Sequence, residues 1–301
     1  MTQAARKNAG SWQQMLFAPT NVLRTQRGRR LAMALGGLAA MVLAAIQLWQ
    51  QLRPHIAIQP EYLVASADMA ITPPPEWIHS DVKAAAIRDA ALPPKLSILD
   101  DRLSERISQA FLLNPWIARV EKVQTFYPAR IQVNLIYRRP VAMVEVFGGL
   151  LPVDSDAVLL PTEDFSPAEA QHYPRIAGVQ SSPLGPLGTA WGDPVVAAGA
   201  KLANLLASVW NDLELHRICE YQDHTGNGMR GSLELVTRGG TKFIWGAAPK
   251  QEGADEPSAS RKLDRLLQWK HDGSLDSVSP ADRDLRRSTS PASEIQTTPK
   301  N

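Results

Sequence analysis

Residues 31–48 read LAMALGGLAAMVLAAIQL and carry no charged side chain. Eighteen residues of α-helix are about 27 Å long, close to the roughly 30 Å of hydrocarbon in a bilayer. Trp49 follows at the depth where an aromatic anchor would lie. The run therefore predicts a single transmembrane helix at residues 31–49.

The charges that flank this run predict its orientation. Four arginines precede it, Arg24, Arg27, Arg29 and Arg30. Only Arg53 follows it closely, and an excess of Lys and Arg marks the cytoplasmic side. We expect residues 1–30 to form a basic tail in the cytoplasm and the bulk of the chain to lie outside it. A cleaved signal peptide is the alternative, disfavoured because the apolar run is longer than the usual 7–15 residues.

The distribution of charge and the number of cysteines limit the possible partners and cross-links of the chain. Residues 1–30 hold six of the 32 Lys and Arg residues and no acid, which leaves 26 basic and 30 acidic side chains for residues 53–301. The larger part of the chain has no basic excess, so the sequence gives no indication of nucleic-acid binding. Cys219 is the single cysteine, so no intrachain disulfide can form.

Residues 54–146 predict a small α/β domain. Leu103, Ile107 and Phe111 recur at helical spacing, which indicates a helix with one buried face. After this helix the period changes to two, and residues 131–137 alternate apolar and polar side chains. That alternation is typical of a half-buried strand.

Residues 147–287 predict a second domain, a mostly antiparallel sheet with helices. Asp193-Pro194 combines a good N-cap with a good first helical residue. Gly239-Gly240 lies between two apolar runs and indicates a hairpin turn. Residues 288–301 are rich in Ser, Thr and Pro, which predicts a disordered tail.

The order of several short motifs resembles the bacterial cell-division family FtsQ/DivIB. In the first domain these are a helix ending in Asn114-Pro-Trp, a strand, a Tyr127-Pro turn, an alternating strand and Arg138-Arg-Pro-Val-Ala. In the second they are Leu151-Pro-Val-Asp, Tyr173-Pro-Arg-Ile-Ala-Gly, Lys242-Phe-Ile-Trp-Gly, Lys262-Leu-Asp-Arg-Leu-Leu and Asp284-Leu-Arg. The resemblance extends over nearly the whole chain to residue 287.

The resemblance implies an α+β fold in which a transmembrane helix precedes a POTRA-like α/β domain and a second β domain. It also implies a non-enzymatic protein of the division septum, anchored in the inner membrane, that regulates septal cell-wall synthesis. The implied partners are proteins like FtsB and FtsL and subunits of the septal synthase, with no cofactor. In the family the last strand of the second domain binds the partner, and the matching positions are Asp284, Leu285, Arg286 and Arg287.

Two groups of residues are candidates for a catalytic site or a metal site. Cys219 with His216 and His224 could form a nucleophile and its base, although a buried strand cysteine is the favoured interpretation. Three carboxylates could bind calcium, although a solvated turn is favoured for them: Asp154, Asp156 and Asp164. We therefore expect neither catalysis nor a metal site. The alternatives to the scaffold are an anchored periplasmic cell-wall hydrolase and a POTRA-type secretion or assembly adaptor.

Overall fold

The structure is a computed structural model that describes residues 26–57, 59–222, 232–280 and 282–287. Within these ranges the fold is α+β, with six α-helices and three sheets. Most of the predicted basic tail and the whole of the predicted C-terminal tail, residues 288–301, lie outside the described residues. Arg24 and His224 lie outside them as well.

The first helix, α1, runs over Gln26–Ala57 and contains the apolar run. Among the described residues, no helix is both long enough and apolar enough to cross a bilayer. This finding contradicts the transmembrane helix predicted for residues 31–49. Of the predicted topology residues, Arg30 is exposed, and Arg27 and Arg29 lie in α1 with side chains outside the description.

The first domain is built from two small sheets and two helices. Its strands are β1 (Leu63–Ala65), β2 (Ala70–Ile71), β3 (Lys95–Ser97), β4 (Ile117–Phe126) and β5 (Arg130–Tyr137). Its helices are α2 (Val82–Asp89) and α3 (Leu103–Leu112). Strands β1 and β3 pair with each other, and the other three form a sheet in the order β2-β5-β4.

Both sequence periods of the first domain are confirmed by burial. Leu103, Ile107 and Phe111 on α3 are buried, as the helical spacing predicts. On β5, Ile131, Val133 and Leu135 are buried, and the intervening Gln132 is exposed. These two faces pack against each other in one hydrophobic core.

The second domain is a six-stranded mixed sheet. Its strands are β6 (Pro140–Val146), β7 (Gly149–Asp154), β8 (Arg175–Ala177), β9 (Leu215–Glu220), β10 (Leu233–Thr237) and β11 (Lys242–Gly246). Their order is β11-β10-β9-β8-β6-β7. β8 pairs in parallel with both of its neighbours, and the other pairs are antiparallel. β6 thus belongs to this sheet, although the sequence analysis assigned residues 140–146 to the first domain.

Three helices complete this domain: α4 (Pro167–Ala170), α5 (Pro194–Leu206) and α6 (Ala259–His271). The predicted start of α5 is confirmed, because the Asp193 carboxylate accepts a hydrogen bond of 2.7 Å from the Val195 N–H. A Cβ atom at Gly199 would lie 3.1 Å from Ile176, so glycine lets α5 pack closely on β8. The predicted hairpin turn is also confirmed, with Gly240 at φ +85° between β10 and β11.

Candidate functional site

The four residues predicted to bind a partner lie beside β11, at one edge of the six-stranded sheet. Ile244 of β11 forms a parallel bridge with Asp284. Its N–H donates to the Arg283 carbonyl and its carbonyl accepts from the Leu285 N–H, both at 2.9 Å. The predicted last strand is therefore present as a single bridge, and Leu285 anchors it because its side chain is fully buried in the domain core.

Arg286 is held by two neighbours. Its guanidinium donates two hydrogen bonds of 2.8 Å to the Asp284 carboxylate, which also accepts from the Arg286 N–H at 3.1 Å. The guanidinium also lies 5.0 Å from the centre of the Tyr221 ring, within range of a cation–π contact. Hydrogen bonds from Arg286 lower the pKa of the Asp284 carboxyl below its usual value, against an opposing effect of burial. Asp284 and Arg286 therefore stay charged and paired near neutral pH.

A buried lysine supports the edge from behind. Nζ of Lys262, on α6, is fully buried and donates to the Trp245 carbonyl at 2.7 Å and to the Glu256 carboxylate. Oε1 of Glu256 also accepts a hydrogen bond of 2.9 Å from the Ala247 N–H. No pattern in the sequence indicates this arrangement. Lys262 lies on an amphipathic helix and Glu256 in a polar loop, and both patterns usually indicate solvent-exposed charges.

The edge presents one backbone donor and one basic side chain outward. The N–H of Asp284 lies between the two groups that face Ile244, so strand alternation points it away from β11. In the described part of the chain no group accepts a hydrogen bond from it. The Arg287 side chain is 79% exposed. The Asp284 carbonyl accepts from the Arg287 N–H at 3.4 Å, and Arg287 Nε lies 3.5 Å from the Asp284 carboxylate. The Asp284 N–H is therefore the backbone group that this side of the bridge offers to a further segment.

Burial dominates the surroundings of the candidate nucleophile. Cys219 and His216 both lie on β9, whose pairing with β10 shifts register between Leu215 and Arg217. Burial raises the pKa of the Cys219 thiol, and burial lowers the pKa of His216. Arg217 and Lys242 act to lower the pKa of Cys219, but burial outweighs them. In a reactive cysteine the cationic neighbours prevail.

Two of the three candidate calcium ligands, Asp154 and Asp164, serve separate structural roles. Asp154 forms an ion pair of 2.7 Å with Arg138 and caps its own turn through the N–H groups of Asp156 and Val158. The Asp164 carboxylate accepts hydrogen bonds from His79 and Ser80, which precede α2, and from Trp116 of the first domain. No cluster of three metal-binding side chains occurs among the residues that the structure describes.

No protein-family model matches the chain, and no curated protein matches it at a significant level.

Proposed function

We propose that this protein is a non-enzymatic scaffold of bacterial cell division that acts by binding other division proteins. The proposed partners are proteins like FtsB and FtsL and the subunits of the septal cell-wall synthase. The observation that carries the proposal is the bridge between Ile244 and Asp284, which leaves the Asp284 N–H on the outer side of a sheet edge for another chain to pair with.

A sheet edge suits such a role because main-chain hydrogen bonds supply affinity and neighbouring side chains supply specificity. Here contacts within the domain hold the edge in place. Leu285 fixes it to the core, and Asp284 and Arg286 hold each other by two hydrogen bonds. A pre-ordered edge lowers the entropic cost of association.

The division role has a cellular test. Depleting the protein in its native host should block septation and produce filaments. A fluorescent fusion to the full chain should concentrate at the division site. Normal division after complete depletion, or an even distribution of the fusion in dividing cells, would refute the role.

The edge contact has a molecular test. A photo-crosslinking amino acid at Arg287, which is exposed beside the bridge, should capture a division protein in growing cells. The matched control is the same amino acid at Arg238, which is exposed on the β10–β11 turn of the same domain. Capture at Arg238 but not at Arg287 would move the contact away from the predicted edge.

Charge reversal at the same two positions gives a second readout. Arg287→Glu should weaken partner capture because it replaces the exposed basic group of the edge. Arg238→Glu should leave capture unchanged. Both side chains are exposed, so neither variant should alter the folded state.

A further inference from the structure

A cleft of about 300 Å³ lies where the two domains meet. Residues from the segment before α2 form one side of it, and residues around α4 form the other. Its walls include Trp77, His79, Phe165, Glu169, His172 and Tyr173. These six residues supply three aromatic rings, two imidazoles and a carboxylate, and no sequence motif joins them.

The floor of the cleft carries a buried negative charge. The Asp164 carboxylate accepts hydrogen bonds from the N–H groups of His79 and Ser80 at 2.9 and 2.7 Å. It also accepts from Ser80 Oγ at 3.0 Å and from Trp116 Nε1 at 2.7 Å. All four donors are neutral, and no ion pair to Asp164 occurs among the described residues. These hydrogen bonds stabilise the charge without cancelling it.

Glu169 places a second carboxylate on the wall. Its Oε2 accepts hydrogen bonds from the N–H and the hydroxyl of Ser166, at 2.8 and 2.6 Å, in a capping box at the start of α4. Those two bonds lower the pKa of the Glu169 carboxyl. Its Oε1 has no hydrogen-bond partner in the described part of the chain, so a charged acceptor remains for a ligand.

The two imidazoles also present acceptors. His79 Nδ1 lies 2.9 Å from the Asp164 carbonyl oxygen, and His172 Nδ1 lies 2.8 Å from the Ala168 carbonyl oxygen. A carbonyl oxygen only accepts hydrogen bonds, so both Nδ1 atoms carry the hydrogen. In the neutral ring, Nε2 then offers a lone pair.

The aromatic walls have fixed orientations. Trp77 Nε1 donates to the Arg138 carbonyl at 3.1 Å, which leaves the ring face as its contribution to the cleft. Phe165 and Tyr173 meet edge to face, with ring centres 5.8 Å apart. Burial raises the pKa of Tyr173, and the charge of Arg139 partly opposes that rise. Arg139 is exposed and is not part of the cleft wall.

We propose that this cleft binds the guanidinium group of an arginine side chain on a partner protein. Guanidinium carries five N–H donors and no acceptor, which complements a wall of acceptors. Its flat cation also stacks on aromatic faces, and two carboxylates without a cationic partner supply the opposite charge. This contact lies at the domain junction and does not depend on the division role or on the edge beside β11.

A matched pair of peptides tests the proposal. The full chain, labelled with ¹⁵N, is titrated to millimolar concentration with acetyl-Gly-Arg-Gly-amide and with the same peptide containing citrulline. Citrulline keeps the shape of arginine and removes its charge. The arginine peptide should shift the indole N–H signal of Trp77 and leave that of Trp210, buried in the core of the second domain, unchanged. The citrulline peptide should shift neither signal.

A substitution that preserves the fold identifies the acceptor. Glu169→Gln retains the capping box, because glutamine serves at the same position, but it removes the charge. Affinity for the arginine peptide should fall about two- to fivefold, the effect of losing one exposed charge pair. Glu163→Gln, an exposed neighbour outside the cleft wall, is the control and should bind like the unmodified protein. Equal binding of the two peptides, or unchanged affinity in Glu169→Gln, would overturn the proposal.

Discussion

Trp116 Nε1 donates a hydrogen bond of 2.7 Å to the carboxylate of Asp164, and the two residues belong to different domains. Trp116 is buried in the core of the first domain, whereas Asp164 follows the first two strands of the second sheet. Leu160, four residues earlier, also packs into the core of the first domain. A short segment of the second domain therefore completes the first.

Removing the Asp164 carboxylate should destabilise the junction. Asp164→Ala leaves the Trp116 N–H and two backbone N–H groups without their acceptor, at a cost of about 3 kcal/mol in the free energy of unfolding. Urea denaturation of the full chain measures this loss. Glu163→Ala removes an exposed neighbouring carboxylate and should change stability by less than about 0.5 kcal/mol. Equal losses in the two variants would show that the hydrogen bonds to Asp164 do not stabilise the fold.

Adjacent positions on β5 should respond very differently to a new charge. Val133 is fully buried, so Val133→Asp places a carboxylate without a partner in the core and should cost several kcal/mol. Gln132 is exposed on the other face, and Gln132→Asp should cost well under about 1 kcal/mol. Thermal denaturation compares them, and similar midpoints would contradict the observed register of β5.

The charge of Lys262 should stabilise the fold mainly by neutralising the Glu256 carboxylate. Lys262→Met leaves a largely buried carboxylate without its cation and should cost about 3 kcal/mol. Adding Glu256→Gln removes that carboxylate charge, so the double variant should be more stable than Lys262→Met alone. Chemical denaturation of the single and double variants gives the coupling. A double variant that loses the sum of both single effects would rule out this ion pair as the cause.

The edge segment beside β11 should depend on one apolar anchor. Leu285 is fully buried, so Leu285→Ala should cost about 2–4 kcal/mol. Arg287→Ala alters an exposed side chain and should cost less than about 0.5 kcal/mol. Amide hydrogen exchange at Ile244 should accelerate in the first variant and stay unchanged in the second. Unchanged exchange in Leu285→Ala would show that this side chain does not hold the bridge.

The Asp284 carboxylate should contribute a stability that is lost in acid. Its pKa in the folded state is lowered by Arg286, so the charged form stabilises the fold above the ordinary carboxyl pKa near 3.8. This contribution disappears as the pH falls below that value and through the folded-state pKa. Asp284→Asn should therefore be less stable than the unmodified protein at pH 7, with the difference shrinking by pH 3. A stability difference that grows in acid would have the wrong sign.

The elements that sequence patterns predicted correctly depend on local geometry. Helical spacing identified the buried face of α3, and alternation identified the buried face of β5. Asp193-Pro194 and Gly239-Gly240 marked a helix start and a turn because cap and turn chemistry act within a few residues. The apolar run also predicted a helix, and α1 is one, but the prediction that it crosses a membrane is contradicted.

The sequence by itself determined the periods, caps and turns, since each is set by neighbours along the chain. Only the tertiary structure decided that β6 joins the second sheet, that Asp164 binds across the domain junction and that Lys262 is buried. Each of these depends on contacts between distant segments. Their free energy comes from burial and from pairing between groups far apart in the chain, and no local sequence pattern indicates either. A charged residue is written the same way in the sequence whether its side chain faces solvent or an opposite charge.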